Sequence, residues 1–154
     1  MAELTTQPGT MSPLGVYIHA LGFLDAAEIL VREQISKKRS ILELPIRALY
    51  SHAWEAVIKA CLLRQGWTPD ALKMKIGHNL ELGFENIKLG EFSVLKLSYA
   101  APIIPILNLY HRNRFNFYPG TGLFPMLEMS DLSKQSERLR LDRQTAAKVF
   151  GLPY

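Results

Sequence analysis

The stretch LPIRALYSHAWEAVIKACLLRQG, residues 44–66, decides the fold of this 154-residue chain. Its apolar side chains recur every three or four positions, which predicts one long amphipathic helix. Pro45 suits the first helical position, where no N–H partner is lost, and Gly66 suits the residue just beyond the end. The predicted buried face consists of Ile46, Leu49, Ala53, Ala56, Val57, Ala60 and Leu63.

Helical patterns continue on both sides of this stretch. A long helix is predicted from Pro13 to the basic segment SKKRS at residues 36–40, where lysine and arginine complement the helix dipole. Its predicted inward face consists of Tyr17, Ala20, Leu21, Leu24, Ala27, Val31 and Ile35. Further helices are predicted over residues 69–75, 79–88, 91–101, 101–114 and 131–149, the last one capped by Ser130.

These patterns predict an all-α fold, an antiparallel bundle of four to five helices. Residues 91–101 also show some strand-like alternation, but a strand needs a partner and nothing else in the sequence resembles one. We expect a flexible arm at residues 1–12, a single helical domain at 13–150 and a short tail at 151–154.

The composition favours a globular protein, with 48% hydrophobic and 21% charged residues. The single cysteine, Cys61, excludes an internal disulfide and a cysteine-based zinc site. No secretory signal is recognisable, and the longest apolar run, residues 100–109, is too short to span a bilayer. We therefore expect a cytoplasmic protein without a membrane partner. The net charge of +4 is modest for a duplex-DNA binder but permits binding of RNA or another polyanion.

Four histidines are candidates for chemistry: His19, His52, His78 and His111. A helical metal site usually has ligands four residues apart or a Glu-x-x-His pair on facing helices, and the sequence has neither. His52 and Glu55 form only the reversed order, so the sequence predicts no metal. Phosphate-binding glycine loops and serine-nucleophile motifs are also missing from the sequence, so no cofactor is predicted.

Arg47 and His52 are the candidate catalytic pair. A histidine can act as a general acid or base near neutral pH, and an arginine can hold a phosphate in a fork. Five residues apart on a regular helix, however, the two side chains point to rather different faces. The alternative interpretation makes Arg47 a surface charge and His52 a hydrogen-bonded residue at the edge of the core.

Arg112, Arg114, Phe117 and Tyr118 are the candidate nucleic-acid-binding residues. Arginine forks bind phosphate, and aromatic rings stack on unpaired bases, a combination that favours single-stranded RNA over duplex DNA. In the alternative interpretation the arginines pair with acids of the last helix and the aromatic rings belong to the core. The surrounding loop, residues 115–125, is also a candidate docking surface for a partner protein.

Two short motifs carry a resemblance to a known family. Residues 53–63, AWEAVIKACLL, are followed by Gly66, and the turn Gly77-His78-Asn79-Leu80 opens the next predicted helix. This succession of motifs resembles a prokaryotic-type member of the HEPN superfamily, the higher eukaryote and prokaryote nucleotide-binding helical bundles. The segment RFNFYP, residues 114–119, is similar to an arginine- and aromatic-rich segment of some members.

The resemblance implies a helical bundle that often dimerises through its long helices. Many members are metal-independent ribonucleases or toxins with a late arginine–histidine pair, and others are inactive binding or scaffold domains. This chain has no histidine after Arg112 and Arg114, so that pair is absent or relocated to Arg47 and His52. In the turn, Asn79 is expected to cap a helix and His78 to bond a backbone carbonyl of a neighbouring helix.

The predicted function is that of a HEPN-like domain that binds RNA, a nucleotide or a partner protein without efficient catalysis. One alternative is a metal-independent endoribonuclease of a toxin or defence system, and another is a purely structural interaction module. A homodimer is expected, because Tyr50 and Trp54 flank the buried helix face and add more aromatic surface than that one face needs to bury. A two-fold interface would cover them.

Overall fold

A computed structural model describes residues 11–38, 42–112 and 128–151, the side chains of Tyr110 and Arg112 excepted. Within these ranges the chain is helical and contains no β-strand, which confirms the all-α prediction. The α-helices are α1 Pro13–Lys37, α2 Glu43–Arg64, α3 Pro69–Ala71, α4 Leu80–Glu85, α5 Ile104–Arg112, α6 Met129–Glu137 and α7 Arg143–Phe150.

Helices α1 and α2 run antiparallel along each other: Phe23 of α1 lies against His52 of α2, and Gly15 lies across a groove from Lys59. Ser12 caps α1 by accepting a hydrogen bond from the N–H of Gly15 at 2.9 Å. The side chains that α1 buries are Pro13, Tyr17, Ala20, Leu24 and Ala27.

Three isoleucines of α1 are exposed. Ile18, Ile29 and Ile35 are 55%, 64% and 73% exposed, so the prediction that Ile35 faces inward is wrong. By length and composition alone α1 could cross a membrane, and 22% of its apolar stretch is buried inside the fold. Core helices of soluble proteins and signal sequences meet the same criterion, so this result does not assign a location.

Helix α2 is buried on most sides, because α1, α4, α5, α6 and α7 all pack against it. Tyr50 and Trp54 are each 1% exposed within a single chain. The indole N–H of Trp54 donates to Ser136 Oγ of α6 at 3.1 Å. Covering these rings therefore requires no second subunit, and the reason given for a dimer does not hold.

The chain between α2 and α4 takes an unusual turn. Thr68 caps α3, after which Leu72–Ile76 continue as a π-helical turn that ends with the N–H of Gly77 donating to the carbonyl of Leu72 at 2.8 Å. Gly77 has φ +56° and ψ −118°, a conformation that favours glycine. Asn79 then caps α4 by accepting from the N–H of Leu82 at 3.1 Å, as predicted.

The segment after α4 is helical, but in a tighter form than predicted. Leu89–Leu95 and Leu97–Ala100 are 3₁₀ helices, with non-helical backbone at Phe92. Phe92 and Leu95 are each 1% exposed, so this segment contributes to the core despite its irregular backbone.

The single last helix predicted over residues 131–149 is wrong, because α6 and α7 are separate. Asp142 starts a new helix by accepting from the N–H of Thr145 at 2.9 Å, and Ser130 lies inside α6 and is not its cap. The buried Tyr17 hydroxyl of α1 fixes the break, since it donates to the carbonyl of Leu139 and accepts from the N–H of Leu141, both at 2.7 Å.

Candidate functional site

Glu55 is the centre of a polar cluster on α2. Its residue is only 8% exposed, because the long helix is covered by its neighbours. One carboxylate oxygen, Oε1, is bonded by the Lys59 ammonium one turn later and lies 3.0 Å from Nδ1 of His78. The other oxygen, Oε2, is bonded to Nε2 of His111. We call His52, Glu55, Lys59, His78 and His111 the Glu55 cluster.

Three different elements bring the histidines together. His52 lies on α2 three residues before Glu55, on the same helix face. His78 follows the π-helical turn and Gly77. His111 lies near the end of α5, and its ring centroid is 4.9 Å from that of His52 and 5.7 Å from that of His78. Three of the chain's four histidines thus meet at one carboxylate.

Asn108 holds α5 in the position that this meeting requires. Its side-chain oxygen accepts the N–H of Leu80 at 2.7 Å, and its amide donates to Glu81 Oε1 at 3.2 Å. Both partners lie in the first turn of α4. The backbone N–H groups there have no partners within the helix, so a buried amide from α5 is a fitting acceptor. The same bonds place His111 beside His78.

The surroundings of Glu55 and His52 lower the pKa of both groups. Burial by itself raises the pKa of Glu55, but hydrogen bonds from His111 and Lys59 outweigh it and lower the pKa to about 2. Partial burial and the neighbouring His111 lower the pKa of His52, and this outweighs the opposite effect of Glu55. At neutral pH the cluster therefore contains an ionised carboxylate beside a neutral imidazole that can accept a proton.

A groove of about 460 Å³ leads to the cluster between the N-terminal part of α1 and the middle of α2. Gly15, Val16 and Phe23 form part of its α1 wall, and His52, Glu55 and Lys59 lie on the α2 side. The ring of Phe23 stacks on His52 with a centroid separation of 5.3 Å. The groove is thus largely apolar and aromatic, with charged and imidazole groups along one wall.

The structure separates the predicted catalytic pair. Arg47 is 4% exposed, and its guanidinium is bonded to Glu43 at 2.9 Å. His52 instead belongs to the Glu55 cluster, and within the described residues no contact joins it to Arg47. A phosphate would have to displace Glu43 to reach the guanidinium of Arg47.

The predicted structural turn is present, with one different partner. Gly77 and Asn79 act as expected, and Leu80 is 1% exposed in the core. His78 contacts the Glu55 carboxylate rather than a backbone carbonyl, and its side chain is 75% exposed. Because an exposed imidazole contributes little to packing, this arrangement favours a chemical role for His78 more than the sequence did.

The predicted nucleic-acid-binding residues lie next to the cluster in the chain. Arg112 is the last residue of α5 and directly follows His111. Arg114, Phe117 and Tyr118 lie outside the described residues.

Sequence reasoning missed the central roles of Glu55, Lys59 and His111. The spacing His52-x-x-Glu55-x-x-x-Lys59 does place three polar groups on one face of an otherwise apolar helix, and this was the available signal. Helix spacing relates only near neighbours in the chain, so it gives no signal for His111, which is 56 residues from Glu55.

Comparison with known proteins gives no match: no protein-family model, no curated protein and no solved structure matches the chain. A function must therefore be inferred from the geometry of the Glu55 cluster and its groove.

Proposed function

We propose that the chain is a HEPN-like helical-bundle domain that binds RNA or a nucleotide, with a phosphate group held at the Glu55 cluster. The observation that supports this most is that Lys59 and His52 line one groove, while His78 contacts the Glu55 carboxylate on the same groove wall. Each of these side chains can donate hydrogen bonds to phosphate oxygens.

The shape of the groove suits a nucleotide. Its volume of about 460 Å³ lies within the usual range of small-molecule sites, roughly 300 to 1,000 Å³. Apolar and aromatic walls beside a few polar groups match a ligand with a flat base and a charged phosphate. The stacked rings of Phe23 and His52 provide the aromatic surface.

The resemblance noted in the sequence supports the same proposal. Its two motifs, residues 53–63 and the turn at Gly77-His78-Asn79-Leu80, are joined in space by the contact between Glu55 and His78. Arg112, from the predicted phosphate-binding group, follows His111 directly. The two motifs therefore meet at the Glu55 cluster, and Arg112 follows one member of that cluster in the chain.

The direct test is fluorescence anisotropy with a labelled single-stranded oligoribonucleotide and, separately, a labelled nucleotide, in EDTA at low salt. We expect binding that weakens with added salt and falls about tenfold in Lys59→Gln, the loss of one charge-assisted hydrogen bond. Lys59→Arg should restore it. Lys148→Gln, on the exposed side of α7, is the matched control. Absence of binding, or equal binding by Lys59→Gln and Lys148→Gln, would reject the proposal.

Cleavage of RNA is a second candidate, favoured by the two exposed histidines. His52 and His78 both lie beside His111, with ring centroids within 6 Å of it. One imidazole could take the proton of a ribose 2′-hydroxyl while that oxygen attacks phosphorus. The other would protonate the departing 5′-oxygen, leaving a 2′,3′-cyclic phosphate.

Product analysis in EDTA distinguishes cleavage from binding. Release of cyclic-phosphate ends that is lost in both His52→Ala and His78→Ala, with RNA affinity largely kept, would support catalysis. Intact RNA after long incubation with saturating protein would leave binding as the function.

A homodimer remains part of the proposal, supported by a different surface from the one first considered. Ile18 and Ile29 lie on one stripe of α1 and are both exposed, and exposed apolar side chains on a helix face often form interfaces. Light scattering should show twice the 17.4 kDa mass of one chain, and Ile29→Lys should halve it. A monomeric wild-type chain would remove the dimer from the proposal.

A further inference from the structure

Three side chains of the Glu55 cluster have the donor atoms of a metal site. A ring nitrogen of His52, a carboxylate oxygen of Glu55 and a ring nitrogen of His111 all lie within 4.8 Å of one another. Glu55 and His111 are buried, whereas His52 is exposed at the groove. The geometry points to a divalent transition-metal site formed by these three residues.

The donor set selects the class of ion. Two imidazole nitrogens and one carboxylate oxygen suit Zn²⁺, Fe²⁺ and Co²⁺, whereas Mg²⁺ and Ca²⁺ prefer oxygen ligands alone. The one cysteine of the chain, Cys61, is buried elsewhere on α2, so thiolate-dependent ions are not favoured.

A modest movement closes the three ligands around an ion. Atoms about 2.1 Å from a tetrahedral Zn²⁺ lie about 3.4 Å from one another, so a set spread over up to 4.8 Å must contract slightly. The ion takes the place of the direct contact between Glu55 Oε2 and His111 Nε2. His52 is exposed, so its ring is the one best able to turn toward the ion.

The remaining contacts of Glu55 act as outer support. Lys59 and His78 both bind Oε1, which fixes the carboxylate with Oε2 directed to His111. Such outer contacts typically change metal affinity by about 10- to 100-fold. The Lys59 ammonium also repels a cation, so we expect binding in the micromolar range rather than tighter.

Three protein ligands leave a coordination position open, as in catalytic zinc sites. His52, the exposed member of the set, lies on the groove wall, so we expect the open position to face the groove. Water or a phosphate oxygen could occupy that position. The metal inference stands on ligand geometry and does not depend on the proposed RNA or nucleotide binding.

The test uses the full chain, stripped with EDTA and then freed of it. Titration with Co²⁺ should produce saturable visible absorption bands at one ion per chain, and Zn²⁺ should bleach them by competition. In NMR spectra Zn²⁺ should shift the imidazole resonances of His52 and His111 much more than those of His19. Because His52 is exposed, His52→Ala should fold like the wild type by circular dichroism and bind Co²⁺ at least about tenfold more weakly.

His19→Ala is the matched control, because His19 lies along the same groove but outside the ligand set. It should keep wild-type Co²⁺ affinity. The inference is overturned by absence of saturable binding, by unchanged affinity in His52→Ala, or by equal losses in both variants. Oligonucleotide binding measured in EDTA is a separate readout, so failure of the metal site and failure of the proposed function can be told apart.

Discussion

Two ionic clusters of the molecule differ in which charge sits at the centre. In the Glu55 cluster a buried carboxylate is surrounded by the Lys59 ammonium and by imidazole rings. In the second cluster the guanidinium of Arg140 contacts Asp25 at 2.7 Å, Glu28 at 3.0 Å and Glu137 at 3.2 Å near the surface. We call these four residues the Arg140 cluster.

The two clusters differ in how deeply their charged groups are buried and in how the pKa values of their carboxylates are shifted. The Arg140 cluster has three carboxylates for one arginine, and burial together with Glu28 raises the pKa of Glu137. Its partners are largely exposed, so water screens most of the attraction. The Glu55 cluster lines a groove through His52, Glu55 and Lys59, whereas the Arg140 cluster links α1 to α6 and its following turn.

The largest expected effect comes from removing the buried centre. Glu55→Ala leaves the partly buried ammonium of Lys59 without its counter-charge and His111 without its contact to Glu55, and should lower the free energy of unfolding by about 3 kcal/mol. Urea unfolding at pH 7, followed by circular dichroism, measures the loss. A loss no larger than that of an Arg140 variant would erase the contrast between the two clusters.

The acid stability of the protein should depend on Glu55 in a defined pH range. Because the folded pKa is lowered from 4.5 to about 2, its stabilisation is complete above pH 4.5 and disappears as the pH falls toward 2. The part lost over that range is about 3 kcal/mol. In EDTA, the difference in unfolding free energy between wild type and Glu55→Gln should shrink from pH 4.5 to pH 2. A constant difference would mean that the carboxylate titrates normally.

A neutral buried contact, outside both clusters, is expected to give an intermediate effect. Tyr17→Phe removes the hydroxyl that joins the carbonyl of Leu139 to the N–H of Leu141. The loss should be about 2 kcal/mol, because buried backbone groups are left without a partner. Tyr99→Phe, at an exposed 3₁₀ position, is the control and should change little. Equal melting temperatures for the two variants would contradict the role given to Tyr17.

The smallest effect is expected at the surface. Arg140→Gln should cost no more than about 1 kcal/mol, because its ion pairs are exposed and screened. High salt should remove most of that cost, while the cost of Glu55→Ala should persist. Chemical unfolding with urea at low and high salt measures both. A salt-insensitive loss at Arg140 would show that its cluster behaves as a buried one.

Local signals in the sequence predicted the long helices and their ends. Pro13, Gly66 and Asn79 mark boundaries through their own backbone or side-chain chemistry, which needs no knowledge of the rest of the fold. The break between α6 and α7 was missed although Asp142 and Thr145 form a good cap. Apolar residues, Leu139 and Leu141, continue across the break, so the hydrophobic pattern does not mark it. The helix is interrupted by hydrogen bonds to Tyr17, which is 122 residues away from Leu139 in the sequence.

Less of the candidate site could be predicted from the sequence, because it too depends on contacts between residues that are far apart in the chain. His52 was singled out from its own chemistry, but its partner His111 comes from another helix. Arg47 looked equally reactive until Glu43, one turn earlier, was seen to hold it. The spacing of Glu43 and Arg47, one helical turn, is a sequence signal for that ion pair, whereas no spacing reveals the contact between His52 and His111.

The π-helical turn Leu72–Ile76 makes the site sensitive to chain length rather than to residue type. Its closing bond joins the N–H of Gly77 to the carbonyl of Leu72, five residues earlier, whereas an α-helical bond spans four residues. The turn therefore contains one residue more than an α-helical turn, and this extra residue sets the direction in which His78 points. Deleting one exposed residue there, such as Met74, would let the segment return to α-helix. His78 would then be rotated by about 100° away from Glu55. A single deletion there is therefore the mutational step that separates His78 from Glu55.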